Sequence, residues 1–99
     1  MPVTAAAPRP SSDLALLERI AAGDARTLWE LAARYGATLR EVAFGILRDA
    51  SAAEHVVQAT FQDVRYAAAR FDPAHFPVER WLVDLTRLRA LEASGPAHR

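Results

Sequence analysis

The sequence predicts an all-α fold, a compact bundle of about four helices. Alanine, the strongest helix former, supplies 22 of the 99 residues. Apolar residues recur at three- and four-residue spacing in successive segments, and no segment shows the alternation of a strand. With 52% hydrophobic residues the chain can bury a single modest core, so general disorder is not expected.

Composition excludes several classes of protein. Twelve arginines and twelve acidic residues cancel, which excludes a strongly basic nucleic-acid binder of histone type. The absence of cysteine excludes disulfides, thiolate zinc sites and cysteine nucleophiles. No apolar run approaches the roughly 20 residues of a membrane span, and the N-terminus lacks the apolar region of a signal peptide. We therefore expect a soluble, cytoplasmic protein.

The positions of prolines and glycines along the chain predict one helical domain between two short terminal segments. Residues 1–11 carry three prolines without periodicity and are expected to form a flexible N-terminal arm. Residues 12–93 are expected to form the helical domain, and residues 94–99 a C-terminal tail that begins around Gly95-Pro96.

The first two helices have recognisable ends. Ser12 is expected to cap the first helix, which runs through Ala22 and stops at Gly23, and Asp24 is expected to cap the second. The predicted buried face of the first helix consists of Leu14, Leu17 and Ala21. The second keeps one apolar face for almost twenty residues, through Leu28, Leu31, Ala32, Tyr35, Leu39, Val42, Ala43, Ile46 and Leu47.

Two glycines interrupt that second pattern. Gly36 and Gly45 each cost about 1 kcal/mol relative to alanine, and either permit a close helix approach or mark a break. The unbroken apolar spacing on both sides of them favours one long helix.

The third and fourth helices are separated by a proline-containing loop. Ser51 and Glu54 form a capping-box pattern, which predicts a helix from there to about Arg70. Pro73 and Pro77 break the helical pattern, and Pro77 suits the first turn of the last helix. The predicted apolar face of the third helix contains Val57, Phe61, Val64 and Ala68, and that of the fourth contains Trp81, Leu82, Leu85 and Leu88.

The sequence offers no catalytic or metal-binding constellation. His55, His75 and His98 lack the partner at i+4 that a metal-binding helix supplies, and no glycine-rich phosphate loop occurs. We therefore expect neither an enzyme nor a bound cofactor or metal, but a recognition module.

Four segments, in their order and spacing, resemble region 2 of bacterial sigma-70 factors, specifically the extracytoplasmic-function group. The resemblance covers about residues 13–92. The segments are Gly23-Asp24 with Leu28 and Tyr35; Ile46-Leu47-Arg48-Asp49; Ala53-Glu54-His55-Val56-Val57-Gln58-Ala59-Thr60-Phe61; and Phe71-Asp72-Pro73 with Trp81-Leu82.

The resemblance implies two binding roles. The third helix would bind the clamp helices of the largest catalytic subunit of the RNA polymerase core. The loop and last helix would melt the promoter minus-ten element and capture an unstacked base. The implied polymerase-binding residues are Glu54, His55, Gln58, Phe61, Gln62 and Asp63. The implied DNA-binding residues are Phe71, Asp72, His75, Phe76, Arg80, Trp81, Arg87 and Arg89.

The charge distribution agrees with these roles. Residues 1–64 carry six arginines and eight acids, whereas residues 65–99 carry six arginines and four acids. The second part therefore places positive charge beside aromatic residues that could stack on a freed base. Its excess is only two charges, so DNA affinity should be weak and strongly dependent on salt.

Packing offers an alternative role for several of these side chains. Phe61 and Trp81 lie on apolar helix faces and suit a core, while Gln58 and Gln62 suit a solvated face. Asp63 suits an ion pair with a nearby arginine. The loop phenylalanines, Phe71 and Phe76, are expected either to pack against the bundle or to stay exposed and bind a partner.

The chain also departs from the family pattern. His55 replaces an acid, Asp84 a basic residue and Leu88 an asparagine, and an aspartate would repel DNA phosphates. The second domain that reads the upstream promoter element has no counterpart in these 99 residues. This makes the chain either a fragment of a longer factor or a shortened relative whose DNA function has eroded.

Three hypotheses follow. The leading one is a sigma-factor-like initiation module that binds polymerase core and promoter DNA. The second is a sigma-like interaction module that regulates polymerase, or binds an anti-sigma protein, without opening promoters. The third is a helical domain that oligomerises through its alanine-rich faces.

Overall fold

The structure, a computed structural model, describes residues 12–75 and 77–95 and confirms the all-α fold in those ranges. The predicted arm at 1–11, Phe76 and tail residues 96–99 lie outside the described residues. The helices are α1 Asp13–Ala21, α2 Ala25–Leu47, α3 Ala50–Ala67 and α4 Val78–Ala93, with a short 3-10 turn at Ala68–Arg70 after α3.

Helix α1 begins and ends as the sequence predicts but buries a different face. The Ser12 hydroxyl accepts a hydrogen bond from the Ala15 amide, and Gly23 adopts a positive φ of 102° after the helix. The buried residues are Leu16, Leu17 and Ile20, whereas Leu14 and Ala21 are exposed. The nine-residue helix carries two overlapping apolar faces, and the face with the bulkier side chains removes more apolar area from water.

Helix α2 is one continuous helix of 23 residues, as the apolar spacing predicts. The Asp24 carboxylate accepts a hydrogen bond from the Arg26 amide at the N-terminus, and the helix ends at Arg48 in the left-handed conformation. Gly36 is buried, and a Cβ there would lie 3.3 Å from the Arg40 guanidinium. Gly45 is exposed with open space around it, so neither glycine breaks the helix.

The N-terminus of α3 lies two residues before the predicted capping box. Asp49 is extended, with a φ of −147°, and its carboxylate accepts a hydrogen bond of 3.0 Å from the Ala52 amide. The capping-box prediction at Ser51 is therefore wrong, because Asp49 already satisfies an amide of the first turn and Ser51 lies inside the helix.

Helix α4 starts one residue after Pro77, which occupies the N-cap rather than the first turn. Its buried residues lie four apart along one line, at Val78, Leu82, Thr86 and Ala90. Trp81 and Leu85 flank this line and are partly buried, but Leu88 is 56% exposed. The predicted place of Leu88 on the apolar face is wrong, because two residues after Thr86 the helix has turned about 200°.

A polar contact fixes α1 against α2. The Asp13 carboxylate accepts hydrogen bonds from Arg34, at 2.8 Å, and from the Tyr35 hydroxyl. Burial and the bond to Asp13 raise the pKa of Tyr35 to about 12. The tyrosine therefore stays protonated and keeps donating to Asp13 well above neutral pH.

The position of the α3 cap generates a prediction about stability. Asp49→Ala should lower the free energy of unfolding by about 1 kcal/mol, because the Ala52 amide loses its acceptor. Ser51→Ala should change it by less than about 0.5 kcal/mol, because Ser51 is an exposed residue within the helix. Urea denaturation of both variants and the unsubstituted chain measures the difference. A larger loss for Ser51→Ala than for Asp49→Ala would contradict the structure.

Candidate functional site

The residues assigned to polymerase by resemblance divide between two sides of α3. Glu54, Gln58 and Gln62 lie one turn apart and form a polar row along a groove of about 450 Å³ between α2 and α3. His55 lies on the side of α3 that faces α4. The structure thus brings together three of the six residues in one row.

Phe61 contributes to the core and to the floor of that groove. Its side chain is 7% exposed and lies among the buried residues of the bundle. Leu28, Ala32 and Val57 line the groove with it. A partner in the groove would therefore meet the edge of the core rather than a free phenylalanine.

The polar row makes only weak contacts within the chain. The Glu54 carboxylate lies 3.7 Å from the Arg40 guanidinium and accepts a hydrogen bond of 3.4 Å from the side-chain amide of Gln58. Exposed ion pairs of this kind contribute about 0–1 kcal/mol. The side chains of the row can therefore exchange these contacts for a partner at little cost.

Asp63 and Arg89 bind each other. Two guanidinium nitrogens of Arg89 donate hydrogen bonds to the two carboxylate oxygens of Asp63, at 2.5 and 2.8 Å. The hydrogen bonds to Asp63 raise the pKa of Arg89. The sequence alternative of an Asp63–arginine ion pair is confirmed, and this pair joins α3 to α4. Two residues that the resemblance assigns to different partners thus form an internal link.

The loop before α4 is organised by Asp72. One carboxylate oxygen accepts a hydrogen bond of 2.9 Å from the Ala74 amide, and the other lies 3.0 Å from Nδ1 of His75. The backbone carbonyl of Asp72 also accepts a bond from the His75 amide. Asp72 and His75 are exposed, so the turn presents both side chains to solvent.

Phe71 and Trp81 form an aromatic pair between the loop and α4. Their ring centroids are 4.9 Å apart with an interplanar angle of 54°. Both side chains are partly buried and pack against the hydrophobic core. Of the two alternatives for Phe71, the structure shows the tucked one, although part of its surface stays accessible.

Asp84 lies between two exposed arginines on the outer face of α4. Its carboxylate oxygens are 3.9 Å from Nε of Arg80 and 3.6 Å from Nη1 of Arg87. These three residues, together with Pro77, Glu79 and Val83, surround one shallow depression. A single carboxylate thus offsets part of the positive charge of both arginines.

Among the described residues, three exposed aromatic side chains were not predicted from the sequence: Trp29 and Phe44 on α2, and Tyr66 near the end of α3. Trp29 is 78% exposed and lines the α2–α3 groove, Tyr66 is 75% exposed and Phe44 is 44% exposed. The guanidinium of Arg65 lies 5.9 Å from the Tyr66 ring centroid. The sequence did carry a signal for Trp29. It directly follows Leu28 and therefore lies outside the apolar face of α2, where a tryptophan is exposed.

Within the described ranges, 12–75 and 77–95, no group of three or more His, Asp or Glu side chains could hold a metal ion. None of the helices in those ranges combines the length and the apolar character needed to cross a membrane.

Comparison with known proteins gives one match. A family model described as Sigma-70 region 2 matches residues 31–94, which is more than half of the chain. The match includes most of α2 and all of α3 and α4. No curated protein and no solved structure matches the chain.

Proposed function

The chain belongs to the sigma-70 region 2 family, and on that premise we propose that it is a transcription initiation module of the extracytoplasmic-function group. Family membership supports a sigma-factor-like role in RNA polymerase binding and promoter recognition. In the proposed arrangement, α3 docks on the clamp helices of the largest catalytic polymerase subunit. The loop at 71–77 and α4 engage the promoter minus-ten element.

The row of Glu54, Gln58 and Gln62 carries the polymerase half of the proposal. These side chains follow one rim of a groove whose floor is apolar, and their internal contacts are weak. A polar rim around an apolar floor is the usual anatomy of a protein–protein contact surface. His55 and Asp63 would lie at the margin of such a contact, since both face α4.

The loop and α4 support the DNA half. The Phe71–Trp81 pair is only partly buried, and an unpaired base could stack on an aromatic ring there. Arg80 and Arg87 are exposed on the same helix and could meet phosphates. Arg89 would contribute through its bond to Asp63, by holding α4 against α3.

Region 2 domains of sigma factors are regulators rather than enzymes, so we propose no catalytic activity and no cofactor. The proposed site of action is the bacterial cytoplasm, where RNA polymerase works. An anti-sigma protein that covers either surface would be a natural regulatory partner.

A second candidate function is polymerase regulation, or binding to an anti-sigma protein, without promoter opening. One observation favours it: every arginine of α4 lies within ion-pair distance of an acid. Asp84 lies near Arg80 and Arg87, and Asp63 binds Arg89. A helix neutralised in this way would bind DNA weakly, because phosphate contacts must compete with the internal carboxylates.

The polymerase contact predicts the effect of charge insertion on the row. Glu54→Arg with Gln58→Arg should weaken binding to purified core RNA polymerase by about tenfold or more, because two arginines would occupy the rim that the partner must cover. Fluorescence anisotropy of the labelled chain at moderate salt measures the affinity.

The matched control is Glu18→Arg with Ala21→Arg, which adds the same charge at exposed positions of α1. It should bind core as the unsubstituted chain does. Equal losses in both double variants would show a general charge effect and contradict docking through the row.

The DNA contact predicts opposite effects for Asp84 and its arginines. In complex with core polymerase, Asp84→Asn should tighten binding of a DNA duplex with an unpaired bubble by about threefold to tenfold. The reason is that Arg80 and Arg87 are released to phosphates. Arg80→Ala with Arg87→Ala should weaken it and reduce its salt dependence. Filter binding across a salt series measures both.

Glu18→Gln removes the same charge from α1 and should leave DNA affinity unchanged within about twofold. If neither the Asp84 nor the arginine variants alter DNA binding, the DNA role of α4 is wrong and the regulatory candidate takes its place.

A further inference from the structure

We propose that Trp29, on the α2 wall of the α2–α3 groove, is a further affinity-determining residue for RNA polymerase and extends the contact from α3 onto α2, so that one helix of the partner lies in the groove. The occupant would be an amphipathic helix with an apolar side chain over the groove floor and an acidic residue near Arg65. This inference rests on the proposed polymerase docking through α3 and extends it to α2.

The exposure of Trp29 is the first observation. An indole that is 78% exposed contributes little to the core of this bundle, although it is the largest side chain on α2. Single exposed apolar residues are common on protein surfaces, but this one lines a concave site with an apolar floor. Tryptophan in such a position is the residue type most enriched among those that dominate binding energy.

The shape of the groove indicates a helical occupant. Its two walls are helices, α2 with Trp29 and α3 with Gln58 and Gln62, and its floor contains Leu28 and Phe61. Gly36 also lines the groove and adds no side chain to the α2 wall. An elongated apolar floor between two helical walls suits an amphipathic helix with apolar residues spaced by one turn.

The charges that line the groove are not balanced along its length. Arg40 and Glu54 offset each other across the groove at 3.7 Å. Arg65 also lines the groove and forms no ion pair with a carboxylate of the described residues; its guanidinium lies over Tyr66. The groove therefore carries one uncompensated positive charge, which an acidic side chain of the occupant would match.

Continuity with the polar row identifies the occupant as polymerase. Gln58 and Gln62 belong both to that row and to the groove wall facing Trp29. A helix that covers the row from the α2 side must also cover Trp29. The clamp helices of the largest subunit are the helical element that the proposed function already places against α3, so one contact accounts for both features.

The test compares truncation of two exposed aromatics on the same helix. Trp29→Ala should weaken binding to purified core RNA polymerase by about tenfold or more. Phe44→Ala, at a position that is 44% exposed and outside the groove, should change it by less than about twofold. Because Trp29 makes little contact with the core, Trp29→Ala should keep the helical circular dichroism of the unsubstituted chain.

Photo-crosslinking identifies the occupant. Benzoyl-phenylalanine at position 29 should crosslink to the largest catalytic subunit, and the same group at position 44 should not. Arg65→Glu should weaken binding by about threefold to tenfold, because it places a carboxylate against the acidic residue of the occupant.

The outcomes separate this inference from the function on which it rests. If Trp29→Ala binds core normally while Glu54→Arg with Gln58→Arg loses binding, the groove inference is overturned and the docking role of α3 stands. A crosslink from position 29 to a different subunit also overturns it. If the unsubstituted chain does not bind core at all, the proposed function fails, and the groove inference fails with it.

Discussion

Burial of one long face of α2 is the constraint on which the rest of the bundle depends. Leu31, Leu39 and Ala43 are fully buried, and α2 packs against α1, α3 and α4. The other helices have 9, 18 and 16 residues, and helices in proteins owe most of their stability to the packing of an apolar face rather than to intrinsic helix propensity. Their stability therefore comes from apolar contact with one another and above all with α2, which has 23 residues.

This dependence fixes the geometry of both candidate surfaces. Helices α3 and α4 pack on α2, and the Asp63–Arg89 pair joins them to each other. The polar row lies on the α2 side of α3, whereas Arg80, Asp84 and Arg87 lie on the outer face of α4. None of the described residues lines both depressions. The bundle thus presents two separate surfaces in a fixed relation to each other.

Much of the fold was predictable because its signals are local. The caps at Ser12 and Asp24 and the uninterrupted spacing of α2 depend only on neighbouring residues, and the structure has them where the sequence predicts them. At α3 the capping-box pattern predicted Ser51, but the extended backbone at Asp49 places the cap two residues earlier, and no local pattern gave that conformation. The prediction that Leu88 is buried was wrong because tertiary packing decides which face of α4 is buried, and that face contains Thr86 and Ala90 instead.

The candidate site was less predictable, because its features depend on distant contacts. The Asp63–Arg89 bond joins residues 26 positions apart, and its specific partners follow only from the packing of α3 on α4. Resemblance indicated the row on α3 but gave no sign that Trp29 lies across a groove from it. Resemblance to a family indicates the positions that its members share. A side chain outside those positions, such as Trp29, becomes interpretable only once the fold places it beside the groove.

The proposed function requires polymerase and DNA to occupy different surfaces of the bundle at the same time. The measurement that tests this requirement is the affinity of the labelled chain for core RNA polymerase, with and without a saturating DNA duplex that contains an unpaired bubble. We expect a complex of one chain, one core and one DNA, with chain–core affinity unchanged or increased by DNA, since thermodynamic linkage makes any coupling reciprocal. Displacement of the chain from core by the DNA would show that the two partners share one surface, and the two-surface arrangement would be wrong.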